Sequence, residues 1–277
     1  MPELPVVQAL AERLDALLAG KTLRSADPVG FSGLKTVDPG PDSVVGRSLD
    51  DVRNVGKYLV FGFGGARILL HLSQGGRIVL EDPPKTTRPK AAVVRFVFDD
   101  APGVLLREYG TERKAGWWVL AEGDDGPLER LGPDPRSDTF AEFVRSGDDR
   151  RRIHTWLRDQ RTVAGIGRGL SDDALHRARL SPYATLLKLD DDERQRLLDA
   201  IRVVLDDALA AERTRTGGLP PKLSENFAVH GRHGTSCPTC GDGLRRVSYE
   251  SHEVTYCPRC QTDGKVLADR RMSRLVK

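Results

Sequence analysis

Cys237-Pro238-Thr239-Cys240, sixteen intervening residues, then Cys257-Pro258-Arg259-Cys260: this C-terminal stretch holds all four cysteines of a 277-residue chain. Two Cys-x2-Cys pairs joined by a linker long enough for a β-hairpin have the spacing of a tetrahedral thiolate cage, each pair on a tight knuckle. The alternative, two disulfides, is disfavoured by the adjacent-pair spacing and by the reducing compartment expected below. Four protein ligands leave a metal no open position, so the ion, read as structural Zn2+, would hold a fold and do no chemistry. His230, His233 and His252 lie nearby, but a full set of thiolates leaves them no ligand role. Residues 231–277 carry nine Lys/Arg against five Asp/Glu in a chain whose formal net charge is only +3. Arg245, Arg246, Arg259, Lys265, Arg270, Arg271, Arg274 and Lys277 supply most of that excess. It fits a finger lying on phosphates, with a solvated basic face as the alternative.

Outward from the cysteines, residues 214–236 are rich in Gly and Pro, and before them the apolar pattern is helical over Thr139–Arg145, Arg150–Gln160, Ser171–Arg179 and Asp190–Arg213. Ser171 with Asp172 and Asp173 reads as a helix start, and the aspartates at 190–192 suit the positive end of the next helix. The segment Gly123–Pro135 contains Gly-Asp-Asp-Gly-Pro and Gly-Pro-Asp-Pro, which favour turns, and the domain boundary is placed there. Earlier still come short β-type runs: Lys57–Phe63, Arg67–Leu72, Arg77–Leu80, Ala92–Phe98, Val104–Leu106 and Trp117–Leu120. With no helices between them, they predict a sandwich or barrel rather than a parallel sheet. Val6, Val7, Leu10, Leu14, Leu17 and Leu18 repeat at helical spacing, and Gly20 ends that helix.

At 39% hydrophobic and 30% charged residues, with no long apolar run, the sequence excludes a transmembrane helix. Its start lacks the basic and apolar regions of a secretory signal, so a cytoplasmic location is expected. That start, Met1-Pro2-Glu3, has chemical potential of its own. A small second residue normally permits removal of Met1, which would leave a secondary α-amine at Pro2. Such an amine titrates near about 8, so a useful fraction is an unprotonated nucleophile at neutral pH. Attack on an aldehyde-like carbon gives a cationic iminium that draws electrons from neighbouring bonds, with Glu3 beside it to move protons. Taken alone, Pro-Glu is unremarkable and reads as a helix-start preference.

Several motifs occur together: Met1-Pro2-Glu3-Leu4-Pro5, Gly56-Lys57-Tyr58-Leu59, His71-Leu72 before a Gly-rich turn, Leu131-Gly132-Pro133-Asp134-Pro135, Asp159-Gln160-Arg161-Thr162-Val163-Ala164-Gly165-Ile166-Gly167, and the two cysteine knuckles. In that order, from residue 1 to about 261, the chain resembles the formamidopyrimidine-DNA glycosylase / endonuclease VIII family. The resemblance implies an α+β multidomain protein. A helix-capped antiparallel β-sandwich (1–122) is followed by a linker (123–136), a helix-two-turn-helix domain (137–225), a β-hairpin zinc finger (226–264) and a basic tail (265–277). It implies a monomer that binds damaged DNA between its lobes, excises the base and cuts the strand by β- and δ-elimination. Pro2 matches the nucleophile that attacks C1′ of a flipped-out nucleotide. Glu3 matches the carboxylate that moves protons at the sugar, and Lys57 the lysine on a strand turn that contacts the lesion-flanking phosphate or assists proton transfer, so the resemblance makes Pro2, Glu3 and Lys57 the catalytic set. The matching DNA-binding set is His71, Gln74, Arg113, Lys114, Gly167, Arg168 and His252, with Cys237, Cys240, Cys257 and Cys260 holding the metal. Gly167 would cradle a phosphate at a helix N-terminus.

Departures from the family fall on residues that handle the lesion. Arg168-Gly169-Leu170 stands where relatives have Asn-Ile-Tyr, and arginine still holds phosphate with a longer reach. His252 replaces the finger's arginine, a weaker and pH-dependent phosphate ligand. Gln74 replaces a methionine, and Arg113-Lys114-Ala115 replaces Arg-Arg-Phe, so the apolar wedge that fills the gap left by a flipped base has become polar. The segment Gly218–His230 is shorter than the loop that folds over 8-oxoguanine, and Val6 replaces an acidic residue. Two readings follow. One is an active glycosylase/lyase for an oxidised pyrimidine, an abasic site, or a bulky or cross-linked adduct. The other is a DNA-damage-binding protein of the same fold, a reading that gives no chemical reason to keep Pro2, Glu3 and Lys57 together. A zinc-ribbon transcription factor would explain the cysteines but not the N-terminus.

Overall fold

Val7, Leu10, Leu14 and Leu18 fall on one face of helix α1 (Leu4–Leu18) and are fully buried. That apolar stripe is why the segment is helical and why it lies on a sheet. The computed structural model describes residues 1–30, 33–223, 226–249 and 252–268. It forms two compact units, Met1–Arg130 with Leu209–Ser224, and Leu131–Ala208 with Glu225–Lys277.

In the first unit α1 packs on strands β2 (Val52–Val55) and β3 (Tyr58–Phe63). These pair with β4 (Ala66–His71) and β8 (Gly116–Leu120) in one antiparallel sheet, ordered β2-β3-β4-β8. A second antiparallel sheet, β1-β6-β7-β5, uses Leu23–Pro28, Ala92–Phe98, Gly103–Glu108 and Gly76–Glu81. One apolar cluster draws on both sheets and on α1, with the rings of Phe61, Phe96 and Trp117 in contact at 5.7–5.9 Å between centroids. The expected sandwich is therefore present. Strands β1 and β2 were not read from the sequence. β1 is a polar edge strand, Leu-Arg-Ser-Ala-Asp-Pro, and β2 has only four residues, so neither carries a recognisable alternation.

Residues 217–220 add to this unit: the N–H of Leu219 donates to Ile78 O (2.7 Å), Arg13 Nε to Gly217 O (3.0 Å) and Arg77 Nε to Pro220 O (3.2 Å). A Cβ on Gly218 would lie 2.3 Å from Ile78 O, so glycine is what lets this chain run so close to β5.

The second unit holds α2 (Asp138–Ser146), α3 (Ile153–Arg158), α4 (Arg168–Arg177), most of α5 (Asp191–Arg213), the hairpin β9 (Arg245–Tyr249) and β10 (His252–Tyr256), and the short α6 (Pro258–Gln261). Ser137 Oγ caps α2 by accepting from Phe140 N–H. The other end of α2 is closed by the buried Arg194 guanidinium, which donates to the carbonyls of Val144, Gly147, Leu186 and Leu189. Helix α4 begins at Arg168, not near Ser171 as the sequence predicts. Ser171 Oγ donates to Gly167 O, and Asp172 and Asp173 are buried inside the helix because they bond partners far along the chain. No helix among the described residues is long and apolar enough to cross a membrane. Arg270, Arg271, Arg274 and Lys277 lie outside the described residues.

Candidate nucleic-acid interface and metal centre

Register places the predicted DNA-facing residues of the first unit at one end of a sheet. Tyr58 on β3 pairs with His71 on β4, and His71 pairs with Gly116 on β8. The chain beyond this row forms the turn with Gly56-Lys57, the turn with Gln74, and the loop with Arg113 and Lys114. Gln74, Arg113 and Lys114 are exposed, whereas Lys57 is 5% exposed and the Tyr58 ring lies 4.8 Å from His71. Two residues not singled out from sequence shape these turns. Buried Glu108 accepts the N–H groups of Lys114 and Ala115 at 2.9 and 2.8 Å, and Arg77 donates to the carbonyls of Gln74 and Gly76. Gln74, Arg77, Tyr109, Thr111, Glu112 and Pro221 line an open, polar cavity of about 320 Å³. Pro2 and Glu3 are buried at the start of α1, with Glu3 its N-cap.

Burial, and secondly the Lys57 charge, lower the His71 pKa from 6.5 to about 4. The imidazole is therefore neutral at pH 7. The unfolded chain takes up this proton first, so His71 costs stability as pH falls from 6.5 to about 4 and contributes no slope above 6.5. His71→Asn should remove that part of the acid-side loss, seen as a smaller fall in Tm between neutral and acid pH than in the wild type.

In the second unit Gly167 is the buried N-cap of α4 and Arg168 its exposed first residue. Gly169 answers a close contact: a Cβ there would lie 2.1 Å from the Phe227 ring. The next turn of α4 seats the finger. Asp172 is 1% exposed, with Oδ2 2.6 Å from His230 Nδ1 and 3.0 Å from Thr255 N, and Oδ1 3.0 Å from His154 Nε2. Burial opposes its charge, but the two imidazoles hold its carboxyl below the usual range. Burial pushes Asp173 up, although it accepts the N–H groups of Ala228, Val229 and His230 at 2.6–3.1 Å. Asp173→Asn breaks up this charge-assisted cluster and should cost about 2–4 kcal/mol in unfolding free energy, measured by denaturant titration. His252 opens β10, paired with Tyr249.

The Sγ atoms of Cys237, Cys240, Cys257 and Cys260 all lie within 4.8 Å of one another. Cys237 and Cys260 are 3.9 Å apart and Cys240 and Cys257 3.5 Å, close to the edges of a tetrahedron around one ion. Four thiols this close cannot all ionise without a cation. The Asp242 backbone N–H, with the neighbouring thiols, lowers Cys240 to about 7, while burial raises Cys257 to about 11 and pushes Cys260 up as well. The donor set thus fits one dication of soft-ligand preference. A fifth side chain, missed in the sequence, touches the cage: His176 Nε2 on α4 lies 3.1 Å from Cys237 Sγ.

Known domain families match the β-sandwich region and the helical region, the second match ending before the four-cysteine hairpin. The formamidopyrimidine-DNA glycosylase N-terminal domain matches residues 1–118, and the formamidopyrimidine-DNA glycosylase H2TH domain matches residues 131–217. A formamidopyrimidine-DNA glycosylase of Thermus thermophilus is 33% identical over 282 residues, covering 95% of this chain and 100% of that protein. The chain belongs to the formamidopyrimidine-DNA glycosylase family. Among solved structures, MutM (Fpg) from Thermus thermophilus superposes with a TM-score of 0.79 at 29% identity, over 94% of this chain and 98% of that one. An uncharacterised formamidopyrimidine-DNA glycosylase-like protein of Mycobacterium tuberculosis is 45% identical over 127 residues, 46% of this chain and 80% of that protein.

Proposed function

We propose that this chain is a DNA-repair glycosylase with abasic-site lyase activity that attacks C1′ of a flipped-out nucleotide with the Pro2 amine. The observation that carries the reading is the row at one sheet end. There a buried Lys57 and a neutral His71 stand beside the exposed turns of Gln74, Arg113 and Lys114, in a chain that begins with buried Pro2-Glu3. With Met1 removed, the Pro2 nitrogen forms a bond to C1′ and the base leaves with the electrons of its glycosidic bond. The amine then loses its proton, Glu3 protonates O4′ and the C1′–O4′ bond breaks, which opens the sugar ring and leaves an iminium at C1′. The iminium acidifies C2′–H, whose loss expels the 3′ phosphate by β-elimination, and loss of the C4′ proton then expels the 5′ phosphate by δ-elimination. Lys57, His71 and Arg168 hold the phosphates that flank the lesion, and Gly167 offers backbone donors at the start of α4. The finger holds one structural Zn2+ on its four cysteines and lays Arg245, Arg246, Arg259 and His252 toward DNA. The protein acts as a monomer in the cytoplasm. A member that only bound damage would have no use for the amine.

Substrate choice follows from what the site lacks. Gln74 and the buried Ala115 give no apolar wedge, and residues 217–220 are bonded along β5 and Arg77, leaving little chain for a lid over a large flipped purine. Oxidised pyrimidines and abasic sites should therefore be processed at least about tenfold faster than 8-oxoguanine opposite cytosine, or ~1.4 kcal/mol of transition-state stabilisation. Single-turnover rates on matched duplexes at one salt concentration test this, since phosphate contacts make binding salt-dependent. Equal or faster 8-oxoguanine excision would show that these loops do not set specificity.

A further inference from the structure

Helix α4 faces the finger with three side chains, Asp172, Asp173 and His176, at positions i, i+1 and i+4. The two carboxylates bind finger and pre-finger backbone, but His176 reaches the metal cage itself, across 61 residues of sequence. It is 5% exposed, so its position is fixed by packing. Cys237 Sγ also receives the Thr239 N–H at 3.4 Å, the short-range bond that a Cys-x2-Cys knuckle makes within itself. His176 is different, because its donor comes from outside the finger.

We infer that His176 is a positioning residue for the metal centre: its Nε2–H donates to the metal-bound thiolate of Cys237 and locks the finger's ion to helix α4. The inference rests on the reading of the four cysteines as a metal site. Those thiolates already complete a tetrahedron, so the imidazole acts on a ligand and is not a fifth one. An N–H···S bond draws electron density from the sulfur, lowers its affinity for protons and slows its exchange off the metal. Loss of such outer-shell partners typically weakens metal binding about 10- to 100-fold. It also joins metal loading to α4, whose first turn carries Gly167 and Arg168.

The test compares the full-length wild type with His176→Phe, which fills the space without a donor, and His176→Gln, which keeps an N–H. Metal content of the purified wild type comes first, and protein with no bound metal would overturn the metal reading itself. In cobalt-loaded protein, His176→Phe should keep the visible bands of a tetrahedral four-sulfur site. Its sulfur-to-cobalt charge-transfer band should move to lower energy, because the sulfur lone pair is no longer stabilised. Its zinc should pass to a competing chelator about 10- to 100-fold faster, and His176→Gln should recover part of both effects. A His176→Phe protein with the wild-type charge-transfer energy and chelator rate would overturn the inference. Loss of the tetrahedral spectrum in both variants would also overturn it, assigning packing rather than a hydrogen bond to His176.

Discussion

Single-turnover cleavage of an abasic-site duplex should fall at least about 100-fold, close to 3 kcal/mol in the barrier, when Met1 is retained in front of Pro2. A variant such as Pro2→Gln, whose larger side chain keeps the initiator methionine in place, achieves this. The new amine then lies one residue, about 3.8 Å, from the position the site is built for, and displacements much smaller than that are costly to reactions that depend on orientation. Pro2→Gly should lose less, because it leaves a primary amine in place that gives a neutral imine needing a further proton. The side chains proposed to hold phosphates are unchanged in each case, so DNA affinity should change far less than rate. Equal cleavage by the wild type and the Met1-retaining protein would remove the amine from the mechanism.

Metal removal should abolish tight DNA binding while sparing the β-sandwich. All four thiols belong to the second unit, in a small apolar cluster with Val229 and Leu244 that is too small to hold the hairpin by itself. Metal binding therefore supplies much of the finger's folding free energy. Chelation should weaken binding to an abasic-site analogue by at least about 100-fold, or ~2.7 kcal/mol. Amide exchange in β3 and β4, which lie in the first unit's core, should stay as slow as in the loaded protein. Full affinity in protein holding less than half an equivalent of metal would contradict this.

The parts of the molecule legible in its sequence are those decided by local pattern. The 3–4 spacing of Val7, Leu10, Leu14 and Leu18 marks α1, the short β-type runs mark β3 through β8, and the two Cys-x2-Cys knuckles mark the cage. What escaped depends on partners remote in the chain. Ser171, Asp172 and Asp173 have the composition of a helix start, yet Asp173 is used by backbone donors 55 to 57 residues away and Asp172 by one 83 residues away. His176 meets its sulfur at a separation of 61, and Arg194, in the first turn of α5, closes the end of a helix 50 residues earlier. Glu108 had no motif to mark it, although it sets the loop bearing Arg113 and Lys114. Gly169 read as a departure from the family until the Phe227 ring above it gave the reason.

The central claim, that the N-terminal amine attacks the sugar, is tested most directly by borohydride reduction of the protein on an abasic-site oligonucleotide, followed by peptide mapping of the cross-linked species. The account predicts a covalent complex in good yield, with the sugar remnant on the nitrogen of Pro2 in a peptide that lacks Met1. A cross-link mapped to a lysine would contradict it by moving the nucleophile elsewhere, and no cross-link under conditions where a related glycosylase is trapped would contradict it and leave a protein that binds damage without cutting it.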